Sequence, residues 1–153
     1  MVAVSAFQRD EIRPIDADDL EAILAIDRVH TKYSRRRFFE KRLAQAAAHP
    51  AEFVQIGFAR GGSLRGFAIV HLLRGQFGRD DSVAVLDTIG VDPDFRGQGV
   101  GRALLSQLLV NLSTLRLERV RTEIDWRDRE LLGFLDHCGF LPSHELCFDR
   151  VVT

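Results

Sequence analysis

The sequence is poor in the residues that cross-link, interrupt or anchor a chain. Its 153 residues include two cysteines, four prolines, one methionine, one tryptophan and one tyrosine. Two cysteines are too few for a disulfide framework, so we expect a reducing, cytoplasmic setting. No apolar run approaches the roughly 20 residues of a transmembrane helix. The first ten residues also lack the apolar core of a signal peptide, so none is expected.

An excess of charge of either sign is also missing. The 21 basic and 22 acidic side chains give a formal net charge of -1. This balance gives no reason to expect a nucleic acid or a membrane surface as partner. A hydrophobic content of 46% and a charged content of 28% are typical of a globular protein. The length suits one domain spanning residues 1–153.

Potential zinc ligands occur only as a loose group near the C-terminus. They are His137, Cys138, His144 and Cys147. Adjacent histidine and cysteine are not a usual ligand spacing, and both halves fall in segments with the pattern of regular structure. We therefore expect ordinary thiols and surface histidines there, and no metal.

The most informative stretch is residues 83–117. A β-rich run ends at Asp92-Pro93, a glycine-rich loop follows at residues 96–101, and helical spacing begins at Arg102. This order makes an anion site, because the N–H groups of a helix start are unpaired and glycines leave room for an anion. Arg96 and Arg102 bracket the glycine loop and can donate charged hydrogen bonds to phosphate.

Two other phosphate-binding loops fit this stretch less well. A P-loop needs Gly-Lys followed by Ser or Thr, and the glycine loop has no lysine. A dinucleotide-binding fingerprint must start directly after the strand, and its last glycine would have to stand where this sequence has Arg102. Glu123 nevertheless lies where such a fold places its ribose-binding acid. A nucleotide-binding domain therefore remains as one alternative.

Residues 91–105, VDPDFRGQGVGRALL, resemble the acyl-CoA signature of the GNAT superfamily of N-acetyltransferases. The core pattern, (Gln/Arg)-x-x-Gly-x-(Gly/Ala), is met by Arg96, Gly99 and Gly101. The resemblance is strongest over residues 83–115, moderate over 118–140, and limited to the order of elements in the first eighty residues.

The periodicities predict the element order β-α-α-β-β-β-α-β-α-β-β. This order predicts an α/β fold with a mixed, mostly antiparallel central sheet and helices on both faces. The resemblance adds a splay between the fourth and fifth strands. In detail, we expect a strand over 120–126, a helix over 127–138 and a closing hairpin formed by Phe140 and residues 146–152.

The resemblance implies transfer of an acetyl group from acetyl-CoA to an amine without a covalent enzyme intermediate. The amine would belong to a small molecule or a protein, and a homodimer is possible. In this family, backbone N–H groups of the glycine loop hold the pyrophosphate, and backbone groups at the end of the central strand pair with the pantetheine arm. Carried over by position, the cofactor-binding residues are Ile89, Val91, Arg96, Gly97, Gln98, Gly99, Val100, Gly101, Arg102 and Asp128.

Two carboxylates are candidates for removing the amine proton. Glu123 lies on the strand predicted beside the splay, and Asp87 shares strand parity with Ile89 and Val91. We expect Glu123 to be the base and Asp87 a possible counter-charge for the amine. Leu135 stands where many members have a tyrosine general acid, and Asp128 stands where many have an asparagine. A non-catalytic acyl-CoA-binding module is therefore a second alternative.

Three arginines cluster where the second helix is predicted to start, after Ser34. Positive charge at a helix start opposes the helix dipole. We therefore expect a site that needs this charge, in which Tyr33, Arg35 and Arg36 bind the acceptor substrate.

Overall fold

The architecture is mixed α/β, and a computed structural model describes residues 9–153 of it. The described residues form five strands and four α-helices: β1 (Asp10–Pro14), α1 (Leu20–Thr31), α2 (Arg36–Ala48), β2 (Phe53–Arg60), β3 (Ser63–Arg74), β4 (Ser82–Val91), α3 (Val100–Thr114), β5 (Val120–Arg121) and α4 (Arg129–His137). The chain divides into two compact units, Met1–Thr122 and Glu123–Thr153. None of the helices within residues 9–153 has the length and apolar character needed to cross a bilayer.

The sheet of the first unit follows the chain order, β1 to β5. Strands β1 to β4 pair antiparallel, and β5 joins β4 in parallel. The sharp β2–β3 connection is made by Gly61 and Gly62, whose φ angles of 59° and 81° suit a tight hairpin turn. The predicted mixed, mostly antiparallel sheet is confirmed.

The two faces of the sheet are covered by different helices. Phe67 of β3 packs edge-on against Phe39 of α2, with ring centroids 5.7 Å apart. The adjacent residue, Gly66, faces the other way, and a Cβ there would approach Val100 and Leu104 of α3. Helices α1 and α2 therefore share one core with β3, while α3 covers the opposite face.

Helix α3 buries an apolar stripe. The buried residues are Val100, Leu104, Leu105, Leu108 and Leu112. Leu109 and Leu115 are 43% and 53% exposed. Leu115 lies beyond the last helical residue, and Arg116 then takes a left-handed φ of 61°, which turns the chain away.

The second unit contains less regular structure than predicted. The strand expected over 120–126 ends at Arg121, because the Asp125 side chain accepts the backbone N–H of Arg127 and starts a turn. The expected closing hairpin does not form: residues 138–153 contain no strand. Glu145 instead donates its N–H to Ser143 Oγ in a local turn, and Phe148 is 87% exposed.

Candidate active site

Strand β4 loses its partner on one edge halfway along its length. The β4–β5 ladder consists of two pairs, Ala84 with Val120 and Val85 with Arg121. One residue later, the Thr122 hydroxyl donates to the carbonyl of Leu86 at 2.9 Å. Beyond this bond β4 runs on for another five residues, which gives the splay predicted between the fourth and fifth strands.

The backbone of β4 points into this splay at two positions. Asp92 donates its N–H to the carbonyl of Arg65 on β3, at 2.7 Å. Because alternate residues of a strand direct their N–H and C=O groups to opposite edges, Val91 and Ile89 direct theirs away from β3. We call the N–H and C=O groups of Ile89 and Val91, which have no strand partner on this side, the open edge. They are the groups predicted to pair with the pantetheine arm.

Asp87 lies in a β-bulge, which changes its predicted orientation. Leu86 pairs with Val70 and Thr88 pairs with Ile69, so Asp87 has no residue opposite it on β3. Thr88 shares a face with Ile69, which belongs to the core under α1 and α2. Asp87 also meets α2, so it lies on this face. The shared parity with Ile89 and Val91 is wrong, because the extra residue shifts the alternation.

Arg42 of α2 holds the Asp87 carboxylate. Its Nη2 atom lies 2.9 Å from Asp87 Oδ2, and each side chain is 19% exposed. The contact is an ion pair without hydrogen-bond geometry, since the buried Oδ2 has no donor aligned with it. The Arg42 guanidinium also lies over the rings of Phe38 and Phe53 and donates to Gln45. Arg42 is thereby fixed, and it fixes Asp87.

The glycine loop joins the end of β4 to α3 as an open cradle. Gly97 and Gly99 have φ angles of 72° and 80°, and a Cβ at either position would meet no atom within 4 Å. Helix α3 begins at Val100, and its first backbone bond runs from Ala103 N–H to the Gly99 carbonyl at 2.9 Å. The N–H groups of residues 100–102 therefore lack helical acceptors and, with the dipole, can bind an anion.

Arginines from β2 and β3 brace this loop. Phe95 lies between the guanidinium groups of Arg60 and Arg65, at 5.3 and 4.6 Å from its ring centre. Arg60 also donates to the Gln98 side-chain oxygen at 2.8 Å. Arg65 pairs with Asp92 at 3.1 Å. These contacts fix the loop that leads into α3, and they occupy the side chain of Gln98.

A histidine from α1 reaches the same place. His30 Nε2 lies 3.1 Å from the Val91 carbonyl oxygen, and its Nδ1 lies 2.7 Å from Arg96 Nη2. His30 is the penultimate residue of α1. It thus touches both the end of β4 and the glycine loop.

The predicted acceptor residues lie at the α1–α2 connection. Arg35 makes a two-pronged ion pair with the buried carboxylate of Asp27, and this bond raises the pKa of the Arg35 guanidinium. Arg36 pairs with Glu21 of α1 at 2.8 Å. Tyr33 is exposed. Internal ion pairs therefore account for Arg35 and Arg36, and their role in acceptor binding stays a prediction.

The remaining predicted site residues belong to the second unit. Glu123 is exposed and precedes the turn at Asp125. Hydrogen bonds from Arg127 lower the pKa of Asp125 to about 2. Asp128 is the N-cap of α4, accepting the Leu131 N–H at 3.0 Å, and Leu135 is buried. Within residues 9–153, no three His, Cys, Asp or Glu side chains group as metal ligands would.

Four side chains of this region were missed by the sequence reasoning: His30, Arg42, Arg60 and Arg65. Each contacts a residue in a different element, as Arg42 of α2 contacts Asp87 of β4. No local motif marks such a pair, because the pairing depends on which helix covers which strand.

Comparisons with known proteins agree with this geometry. The sequence profile described as "Acetyltransferase (GNAT) family" matches residues 11–140. Mycothiol acetyltransferase of Propionibacterium freudenreichii is 35% identical over 52 residues, which are 34% of this chain and 17% of that protein. The chain therefore spans only a small part of this curated relative.

Solved structures share the fold over nearly the whole chain. An aminoglycoside N-acetyltransferase in complex with CoA aligns with a TM-score of 0.76 and 18% identity, covering 97% of this chain and 98% of the other. The ribosomal-protein-S18-alanine N-acetyltransferase from Escherichia coli aligns with a TM-score of 0.73 and 22% identity, covering 88% and 79%. With a family profile that covers most of its length, the chain belongs to the GNAT acetyltransferase family.

Proposed function

We propose that the protein is an acetyl-CoA-dependent N-acetyltransferase that acts on an amine by direct transfer. One observation carries this proposal: the open edge of β4 leads directly into a glycine loop at the start of α3. Few arrangements offer unpaired backbone groups for an extended amide chain and, a few residues later, a cradle for a pyrophosphate. CoA contains both parts in this order.

The residues of the first unit fit CoA in two stretches. The N–H groups of the glycine loop and of residues 100–102 would bind the pyrophosphate, with Arg96 and Arg102 adding positive charge. The N–H and C=O groups of Ile89 and the C=O group of Val91 would pair with the pantetheine amides, as a strand pairs with its neighbour. Asp128 is proposed as a further contact.

The Val91 N–H would also assist the chemistry. As an amine nitrogen bonds to the acetyl carbon, negative charge first develops on the carbonyl oxygen. The carbon–sulfur bond then breaks. A backbone N–H directed at that oxygen binds it more strongly in the transition state, where the oxygen carries this charge, than in the ground state. The leaving group is a thiolate, whose parent thiol has a pKa of about 8.5, so departure needs little acid help. A leucine at position 135 is compatible with such a reaction.

The amine must lose a proton, and we propose Glu123 as its acceptor. Glu123 is exposed, and so open to solvent and substrate. Asp87 has Arg42 at 2.9 Å, which suits it better to hold the substrate amine as a counter-charge. Tyr33, Arg35 and Arg36 are proposed to line the acceptor side.

The acceptor class is an amine of a small molecule or a protein. Structural relatives act on diverse amines: one is named a glucosamine-6-phosphate N-acetyltransferase and another is an aminoglycoside acetyltransferase in complex with sisomicin. We propose a cytoplasmic enzyme; whether it is a homodimer stays a prediction.

The proposal is tested by turnover of acetyl-CoA with a panel of aminoglycosides, amino sugars and N-terminal peptides, following free thiol release. We expect turnover with at least one amine class. CoA binding without turnover on any amine would favour the second candidate, a non-catalytic acyl-CoA-binding module, which the leucine at position 135 supports. Binding of NAD instead of CoA would overturn both.

The carboxylate roles are separated by kcat/KM against pH for the wild type, Glu123→Gln and Asp87→Asn. We expect Glu123→Gln to lose the acidic limb and about 100-fold in rate, as for a lost general base. Asp87→Asn should raise the KM of the amine more than it lowers kcat. If Asp87→Asn loses the limb and Glu123→Gln does not, the roles are reversed.

A further inference from the structure

The two halves of the proposed CoA site are connected by a single side chain from another element. His30, on the last turn of α1, contacts the Val91 carbonyl at 3.1 Å through Nε2. Through Nδ1 it contacts Arg96 Nη2 at 2.7 Å. The first contact lies at the open edge, and the second lies at the first residue of the glycine loop. His30 itself belongs to neither.

The chemistry of the partners fixes the proton position on the ring. A guanidinium nitrogen can only donate, so Nδ1 must accept from Arg96. A carbonyl oxygen can only accept, so Nε2 must carry the hydrogen and donate to Val91. Arg96 Nη2 also lies 3.4 Å from His30 Nε2, so the Nδ1–H tautomer retains only this longer contact. The neutral Nε2–H tautomer instead serves both the Val91 carbonyl and the shorter contact to Arg96. His30 therefore has one defined donor and one defined acceptor.

We infer that His30 is a positioning residue for CoA, which aligns the Val91 carbonyl and the Arg96 guanidinium before CoA arrives. The inference rests on the proposed CoA-binding function and deepens it. A carbonyl oxygen has two lone pairs, so Val91 can accept from His30 and from a pantetheine amide together. Arg96, held at its Nη2, keeps its charge beside the pyrophosphate cradle and loses less conformational entropy on binding.

The central experiment is calorimetric titration of the full chain with CoA. His30→Leu removes both hydrogen bonds while keeping an apolar side chain of similar size. We expect CoA to bind about fivefold more weakly, the effect of one lost net hydrogen bond. His30→Gln can still donate from Nε2 and accept at Oε1, so it should recover most of the affinity. His49→Leu, at an exposed histidine after α2, is the matched control.

A double-mutant cycle tests whether His30 acts through Arg96. If it does, the loss caused by His30→Leu should be smaller in an Arg96→Leu background, because only the contact with the Val91 carbonyl is then left to lose. A merely structural role for His30 would instead give the same fold-change in both backgrounds. Thermal melting of each variant shows whether folding is unchanged.

A spectroscopic measurement checks the tautomer without CoA or activity. Nitrogen chemical shifts of the His30 ring should show the Nε2–H form in the wild type. The Nδ1–H form in the wild type would overturn the inference.

The outcomes separate the inference from the proposed function. If the wild type does not bind CoA, the proposed function falls, and this inference falls with it. If the wild type binds CoA and His30→Leu binds equally well or more tightly, only the inference falls. In the tighter case His30 would be an obstacle to the pantetheine arm.

Discussion

Helices α2 and α3 both carry arginine in the first turn, yet the surroundings of these arginines differ in chemistry. At α2, Arg35 and Arg36 find acidic partners in α1, namely Asp27 and Glu21. At α3, glycines precede the helix, and its first N–H groups have no helical acceptor. Charge at a helix start thus has two meanings. At α2 it belongs to internal ion pairs with acids of α1, and at α3, where glycines leave space beside it, we propose that it serves a ligand.

The largest effect is expected from Arg35→Ala, at the start of α2. It leaves the buried carboxylate of Asp27 without its cation, so we expect a loss of roughly 3–5 kcal/mol in the free energy of unfolding. Urea denaturation measures it. Arg36→Ala, whose ion pair is exposed, should change stability by less than about 1 kcal/mol. Equal losses for the two variants would contradict the difference between their partners.

The second largest effect is expected at the glycine loop. Gly99→Glu puts a side chain at a φ of 80° and a carboxylate where the phosphate would lie. We expect CoA affinity to fall at least about 100-fold, from repulsion in addition to lost N–H contacts. Gly62→Glu is the matched control, because its φ is 81° and its surroundings are equally open. Wild-type CoA affinity in folded Gly99→Glu would remove the loop from the site.

A smaller effect is expected from the charge at the start of α3. Arg102→Gln should weaken CoA binding about three- to tenfold and make the affinity less sensitive to salt, since one phosphate-directed charge is lost. Lys41→Gln, at an exposed position of α2, removes the same charge elsewhere. If both variants weaken CoA equally, the effect comes from net charge and the arginine has no local role.

The smallest effect concerns α1, whose start carries acids. The hydrogen bond from Arg13 lowers the pKa of Asp19 from its ordinary value of 3.8. Because the folded-state pKa is lowered, this pair stabilises the protein above about pH 4 and ceases to do so as the pH falls through the lowered value. Asp19→Asn should therefore cost about 1–2 kcal/mol at pH 7 and less near pH 2. A constant difference across this range would contradict the linkage.

The sequence predicted the backbone of the glycine loop well and the side-chain contacts around it poorly, for a physical reason. The glycine loop, the strand before it and the helix after it are contiguous, so local backbone rules determine them. The orientation of Asp87 depends on the register between β3 and β4, which no spacing within β4 reveals. Arg42 and His30 depend on how helices lie on the sheet, which is set by packing over the whole unit.

Towards the C-terminus, the sequence predicted more strand than the structure contains. Alternating apolar residues predicted strands over 120–126 and 146–152, but only Val120–Arg121 is extended in a ladder. Alternation states which residues could share a face, whereas a strand also needs a neighbouring backbone to bond. At Asp125 and Ser143, backbone N–H groups bond to side-chain oxygens in local turns, so no strand ladder forms there despite the alternation.

The bulge at Asp87 has a consequence for engineering. Since Leu86 and Thr88 already pair with consecutive residues of β3, the ladder would close without gaps if Asp87 were removed. Leu86, Ile89 and Val91 would keep the edges they now face. Position 87 is thus an insertion that the sheet tolerates but does not require. If Asp87 contacts the acceptor amine as proposed, we expect a library varied at this one position to change acceptor preference while the backbone that would hold CoA stays the same.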